Sequence, residues 1–195
     1  MPKPLTPTPS LIAKYVKKWE TLESYRLQEA SLNLLFNDLC PKNTSIEHVL
    51  LKVSALNDFY STNIFDTYSV AKHIRGKNMD ERLKADDYSL VNDLAKVTIK
   101  KKTINFYSFA SKYCSHHKPT AYPIFDSYVE KMLVYYGSED SFDSFKKGDL
   151  KDYARFIEIM RAFQSFYKLE KNLLREIDIF LWLGGKDWFP HKFST

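Results

Sequence analysis

A chain of 195 residues, 44% hydrophobic and 27% charged, is long enough to bury a substantial core and too mixed in composition for a disordered or fibrous protein. Its 29 Lys and Arg against 24 Asp and Glu leave a net charge of +5, a mild excess that suits a polyanionic partner without requiring one. No run approaches the roughly 18 consecutive apolar residues of a membrane span, no apolar signal core opens the chain, and Cys40 and Cys114 form neither a disulfide scaffold nor a spaced metal cluster, so a cytoplasmic protein with no membrane partner, metal or other cofactor is expected.

Residues 1–10 hold four prolines and read as a flexible N-terminal arm, ahead of a single helical domain over 11–195 with room for two lobes. From Leu11 to about Leu39 the apolar positions Leu11, Tyr15, Trp19 and Leu22, then Leu32, Leu35, Phe36 and Leu39, predict one long helix or two consecutive ones. Pro41 breaks the pattern, and Ser45 is placed to cap the next helix, whose stripe is Ile46, Val49, Leu50, Val53 and Leu56. That stripe dissolves in residues 57–64, where Asn63 reads either as a turn asparagine or as a functional side chain at a helix end.

Residues 66–74 predict another helix, with Gly76 suited to a left-handed cap, and residues 86–96 predict one more. Lys96, Lys100, Lys101 and Lys102 then concentrate positive charge, as a solvated face or, if they share a surface with Lys112, as an edge that tracks phosphates. Residues 109–126 are the centre of interest: the end of one helix, a connector punctuated by Pro119 and Pro123, and the opening of a second helix. Tyr107, Ala110, Tyr113, Cys114 and His117 recur on one side of the first helix, while Ser108, Lys112, Ser115 and His116 share the other, polar side. Taken singly, Lys112 is an ordinary exposed helix lysine, and Asp126 is a helix N-cap with Ser127 and Glu130 offering a rival capping box.

Tyr128, Val129, Met132, Leu133 and Tyr136 mark a core helix that stops at Gly137, followed by a polar connection over residues 138–148. The aromatic stripe of Tyr153, Phe156, Phe163, Phe166 and Tyr167 belongs to a core helix, and Leu173, Leu174, Ile177, Phe180 and Leu181 mark the last one, ending at Gly184 and Gly185. No alternating stretch demands a sheet, so the fold class is all-α.

The lysine-bearing helix, the Lys118-Pro119 connector and the Pro123-x-x-Asp126 opening resemble the catalytic region of the helix-hairpin-helix DNA glycosylase superfamily, most closely its 8-oxoguanine glycosylase branch. The residues Phe106, Tyr107, Ser108, Phe109, Ala110 and Ser111 stand where that family has a Leu-Pro-Gly-x-Gly hairpin, so the hairpin is degenerate. The resemblance implies a glycosylase-like helical domain that excises an oxidised purine from double-stranded DNA, as a monomer, with Lys112 as nucleophile and Asp126 as the acid beside the sugar. Lysine is the residue type that such chemistry needs, because an amine attacks C1′ and forms a Schiff base.

Free lysine is neutral in roughly one molecule in a few thousand at pH 7, so the site must favour the neutral amine, and Asp126 is expected to stabilise charge on the sugar rather than pair tightly with Lys112. The base must also leave the stack, which calls for a plug and a pocket. Asn63 is the candidate plug, His117, Tyr122 and Phe125 are candidates to shape the pocket, and Lys100, Lys101 and Lys118 are candidates to hold the DNA backbone. The alternatives are a non-catalytic or defence-associated nucleic-acid-binding module that keeps the fold, and a protein-interaction domain built on the aromatic helices.

Overall fold

The computed structural model describes residues 3–190. In chain order these form α1 (Pro9–Glu20), α2 (Glu23–Asn33), α3 (Ile46–Tyr60), α4 (Thr67–Arg75), α5 (Met79–Lys84), α6 (Ser89–Ala95), β1 (Lys96–Ile99), β2 (Lys102–Asn105), α7 (Tyr107–His117), α8 (Ser127–Asp140), α9 (Tyr153–Phe166) and α10 (Leu174–Trp188). A π-helical turn, Leu34–Leu39, continues α2, and a 3-10 turn, Lys147–Lys151, leads into α9. The protein is mostly helical, as its periodicities require. The chain divides into two compact units, one of residues 24–124 and one that joins residues 1–23 to residues 125–195.

In the unit of residues 24–124, α7 is the central helix, and α3, α6 and the π-helical turn pack against it. Its expected polar side is not a solvent side: Lys112, Ser115 and His116 are buried and Ser108 is half-buried, on a helix that also buries Phe109, Ala110, Ser111, Tyr113 and Cys114. Hydrogen bonding makes this tolerable, as when Ser111 returns its hydroxyl to the Ser108 carbonyl at 2.9 Å. Around this helix the caps follow the sequence closely. Ser45 accepts from the His48 amide to open α3, and Asp66 accepts from the Ser69 amide to open α4.

Three expectations for this unit need correction. Gly76 ends α4 with φ −77°, so no left-handed cap forms there, and the left-handed residue is Asn78 at φ 48°, immediately before α5, a helix the periodicity did not disclose. The lysine-rich stretch, where the pattern demands no sheet, is a β-hairpin, with Lys96 opposite Asn105 and Thr98 opposite Thr103. Lys100 and Lys101 form its two-residue turn with φ of 46° and 69°, the left-handed pair that a tight hairpin turn demands.

In the other unit, α10 packs against both α1 and α8. Tyr15 of α1 sets its ring edge-on to Phe180 at 5.3 Å and donates its hydroxyl to Asp187 at 3.0 Å, while Lys18 pairs with the same carboxylate at 2.7 Å. Phe142, Phe163, Tyr136 and Tyr167 form a continuous aromatic cluster, so the aromatic stripe of α9 is core except at Phe166, which is half exposed. The residues expected to form a loose arm lie against this unit instead. The Leu5 carbonyl accepts from the buried Tyr136 hydroxyl at 2.6 Å, Lys3 pairs with Glu139, and Thr8 caps α1, which has already begun at Pro9. Met1 and Pro2, the first two residues of that expected arm, lie outside the described residues.

Both predicted glycine stops in this unit are also passed over. Helix α8 continues through Gly137 to Asp140, and α10 continues through Gly184 and Gly185 to Trp188. At Gly185 the reason is close approach rather than termination, since an added Cβ would lie 2.6 Å from Tyr128 Cβ and 3.0 Å from the Tyr128 carbonyl oxygen.

Candidate functional site

The amine of Lys112 is held inside the unit of residues 24–124. Only 6% of the residue is exposed, and Nζ donates to Ser108 Oγ at 2.5 Å, one helical turn back on α7. The amine also sits 5.2 Å from the centre of the Tyr60 ring, which supplies a π-face to a cation. Tyr60 is itself fixed, its hydroxyl 3.1 Å from His116 Nε2, with His116 Nδ1 3.3 Å from Asn33 Oδ1. Because Asn33 Oδ1 can only accept, Nδ1 of His116 carries a proton. Lys112 is therefore one wall of a pocket of about 290 Å³, shared with Tyr60, Ser61 and Thr62 at the end of α3 and with Asn105, Phe106 and Ser108. The size is at the lower end for a ligand site, and the lining mixes aromatic faces with small polar groups.

A second constellation, absent from the sequence expectations, lies in the same unit. Lys52 of α3 is fully buried and delivers its three ammonium protons to three acceptors: the Lys42 carbonyl at 3.1 Å, Asn43 Oδ1 at 2.7 Å and His117 Nε2 at 3.2 Å. Asn43 is the hub. Its Oδ1 also accepts from Tyr113, and its Nδ2 donates to Asp80 at 2.6 Å and faces His117 Nε2 at 3.2 Å. With two donors aimed at Nε2, His117 is neutral and carries its proton on Nδ1, in accord with burial, and then Lys52 and His116, pushing it down to about 3.

This network forms the floor of a cleft of about 830 Å³ walled by Asn43, Asp80, His117, Arg75, Lys84 and Lys118. Lys52 is saturated with acceptors and shielded from solvent, so it orients Asn43 and His117 rather than reacting itself.

Burial draws Lys52 down to about 8, against the opposing pull of Asp80 and Cys40. A lysine whose ammonium form the fold penalises contributes a penalty that is complete below about pH 8 and disappears as pH rises toward its unfolded value near 10.4. Between pH 8 and 10, the stability of the wild-type chain relative to a Lys52→Met variant is expected to rise by about 2 kcal/mol, read by urea unfolding. A difference that stays flat over that interval would mean that the amine is not penalised.

The remaining sequence candidates are distributed as follows. Asp126 belongs to the other unit, where its Oδ1 accepts from the Tyr128 and Val129 amides at 2.8 and 2.9 Å and caps α8. Glu130 does not complete a capping box there but binds Lys147 and Lys151 at 2.9 and 2.8 Å. Phe125 packs edge-on against Phe156, with Lys151 over its ring at 4.1 Å, and is core in that unit. Tyr122 is buried against Tyr88 in the unit of residues 24–124.

Asn63 is exposed at φ 57°, a left-handed turn position that asparagine tolerates, and it follows the pocket residue Thr62 without lining the pocket. Lys118 is ion-paired with Asp86 at 2.8 Å and bonded to the Leu83 carbonyl, so its charge is already compensated inside the cleft. Lys100 and Lys101 stand exposed at the hairpin tip.

Comparison with known proteins covers most of this unit. The N-terminal-domain family HI_0787_N matches residues 11–121, a stretch that contains Lys52, Lys112 and His117 and ends before Asp126. The chain belongs to the HI_0787_N family. A Haemophilus influenzae protein described as uncharacterized is 51% identical over 149 residues, covering 76% of this chain and 71% of its own length. No solved structure matches the chain. Both constellations of the 24–124 unit therefore lie within the HI_0787_N match. Among the described residues no helix is long and apolar enough to cross a membrane, and Cys40 and Cys114 are buried free thiols.

Proposed function

We propose that the chain is a DNA glycosylase with associated lyase chemistry, built on a helix-hairpin-helix glycosylase-like fold and directed at an oxidised purine, with Lys112 as its nucleophile. The observation that carries this reading is the pocket in which the Lys112 amine and the end of α3, Tyr60–Thr62, share one wall. The resemblance assigns Lys112 to attack on the sugar and Asn63, the residue that follows Thr62, to the gap left by a flipped base. In its neutral form the Lys112 amine attacks C1′, the bond from C1′ to the base nitrogen breaks, and the base departs with the electron pair and takes up a proton. Opening of the sugar ring then leaves a Schiff base between Lys112 and C1′. Asp126 would stabilise positive charge on the sugar during departure.

The test is borohydride trapping on duplex DNA that carries 8-oxoguanine or an abasic site. Wild-type protein should give a covalent adduct and Lys112→Gln none. Asp126→Asn separates chemistry from structure, because asparagine caps a helix as well as aspartate does; the variant should unfold at the wild-type temperature yet trap at least tenfold more slowly, on the scale of a general acid-base or charge-stabilising group. No adduct with either DNA would overturn the enzymatic reading. The capping role of Asp126 favours a second reading, a nucleic-acid-binding module without catalysis, which binds DNA undiminished in both variants.

A further inference from the structure

The turn between α3 and α4 holds one side chain out of the protein by construction. Asn57 Oδ1 accepts from Thr62 Oγ1 at 2.8 Å and from the Ile64 amide at 2.9 Å, while Asn57 Nδ2 donates to the Ile64 carbonyl at 3.1 Å. Ile64 is thereby pinned into the core at 3% exposure. Two residues later, Asp66 is committed to the first turn of α4 through the Ser69 amide and hydroxyl at 3.0 and 2.7 Å. Between these anchors Phe65 has no route inward, and it is 97% exposed.

A lone exposed phenylalanine is unremarkable on a protein surface, but this one has company of a particular kind. Tyr68, on the first turn of α4, is also exposed, with Lys72 Nζ 5.7 Å from its ring centre. The hairpin packs against α4 through β1. Its tip lies close enough that Lys100, after the Ser69 hydrogen bonds and against some burial, helps to hold the Asp66 carboxyl below the usual range. Lys96, Lys100, Lys101 and Lys102 of the hairpin are all exposed. Earlier in the same turn, Tyr60–Thr62 line the Lys112 pocket together with Asn105 at the end of β2.

We infer that this strip is a nucleic-acid-binding surface, in which Phe65 is a rigidly presented ring that stacks on or between bases while the hairpin lysines and Lys72 hold the phosphates. The inference rests on the reading of the chain as DNA-directed but not on its chemistry. Aromatic faces alternating with exposed lysines provide the two interactions that a nucleic acid strand offers together, π-faces at each base and a charge at each phosphate. A second copy of this chain, itself at net charge +5, gains nothing from several clustered lysines. Anchoring of the turn also matters, because a side chain already fixed in its bound direction loses little freedom on insertion.

The experiment uses the full chain and a fluorescein-labelled duplex in two forms, intact and with an abasic site opposite cytosine, read by anisotropy across a salt series. Phe65→Ala should weaken binding to the abasic duplex by roughly tenfold or more, the scale of one lost base-aromatic stack. Phe65→Trp should restore it. Lys100→Ala with Lys101→Ala should weaken both duplexes alike and reduce the slope of log affinity against log salt by about two. All three variants should melt as wild type, since the altered side chains are exposed.

Wild-type affinity retained in Phe65→Ala, or loss of concentration-dependent self-association in place of DNA binding, overturns the inference. Its fate is separable from that of the glycosylase reading. Phe65-dependent binding without a borohydride adduct keeps the surface and removes the chemistry, whereas an adduct formed equally by Phe65→Ala keeps the chemistry and removes the surface.

Discussion

Replacing Asn43 by leucine, which is nearly its isostere, is expected to remove about 3–5 kcal/mol of stability, the range found when one partner of a buried charged network is deleted. The reason is the number of groups that converge on one amide. Asn43 accepts from Lys52 and Tyr113 through Oδ1, and Asp80 receives both its Nδ2 and its backbone amide, at 2.6 and 3.0 Å. Leucine would take one of its three acceptors from the buried Lys52 ammonium and the Oδ1 acceptor from the buried Tyr113 hydroxyl at once, and each unmet bond costs about 1–3 kcal/mol, more where it is charged. Against a typical total of 5–15 kcal/mol, that loss leaves the unit close to its unfolding midpoint.

The right probe matters, because Trp19, Trp182 and Trp188 all belong to the other unit, so tryptophan fluorescence would miss the event. Far-ultraviolet circular dichroism in urea, with hydrogen exchange on α3 and α7, reports it. A double-mutant cycle isolates the mechanism: in a Lys52→Met background the same substitution should cost at least 1 kcal/mol less, since no ammonium remains to lose an acceptor. Equal costs in both backgrounds would show that Asn43 and Lys52 are not coupled.

The functional weight of that network is positional. It sets the imidazole of His117 and the amide of Asn43 at the floor of the large cleft, and through α7 it fixes the helix that carries Lys112. Lys112 faces the smaller pocket near the end of α3, and Lys52 is buried midway along α3. The two lysines thus do different work from the same pair of helices. One is saturated with acceptors and holds the helices together, and the other meets a hydroxyl and a ring beside an open pocket.

How far the sequence disclosed this depends on the kind of signal. Helices with a clean apolar stripe, such as α3 and α9, were legible, and so were caps made by a side chain acting on its own helix, as Ser45 and Asp126 do. Glycine was not, because the same residue serves a helix end, a backbone approach and an open loop, and only three-dimensional neighbours distinguish them. The hairpin was missed for a related reason: its turn uses Lys100 and Lys101 in left-handed geometry where asparagine and glycine are the readable choices.

In the candidate site, Lys112 was singled out by pattern but its burial was not, and Asp126, singled out with it, stands in the other unit as the cap of α8. The neighbours of Lys112 on the polar side of α7 are satisfied by residues far away in sequence, as His116 is by Asn33 and Tyr60. Lys52 did leave a trace, since it falls on the same helical row as Val49, Val53 and Leu56, all buried. A lysine in a core row is the sequence mark of an internal polar network. Phe65 left none, because its exposure is a consequence of Asn57 and Asp66 gripping the residues on either side.

The second large effect is expected at the crossing of α8 and α10. Gly185→Ala gains about 1 kcal/mol of helix propensity but sets a methyl carbon 2.6 Å from Tyr128 Cβ and 3.1 Å from Tyr128 Cα. Backbone cannot rotate out of the way as a side chain does, so the two helices must separate, and a net loss of about 1–3 kcal/mol is expected, growing with valine or leucine. Gly184→Ala meets the Trp188 ring at 2.6 Å and Met132 Cε at 3.1 Å, side chains with some freedom to yield, and should lose less. Gly148→Ala, with nothing within 4 Å, should change stability by no more than about 0.5 kcal/mol.

Here tryptophan fluorescence is the correct reporter, because Trp182 and Trp188 lie on α10 itself. The order Gly185, Gly184, Gly148 is the test, and a stabilised Gly185→Ala would mean that the helices stand farther apart than these contacts require. The same substitution reaches the proposed chemistry, since Tyr128 is the residue whose amide Asp126 caps at 2.8 Å. Pushing the first turn of α8 away from α10 displaces the carboxylate with it, so Gly185→Ala should slow borohydride trapping along with Asp126→Asn if the acid acts on the sugar, and leave trapping unchanged if Asp126 is a cap alone.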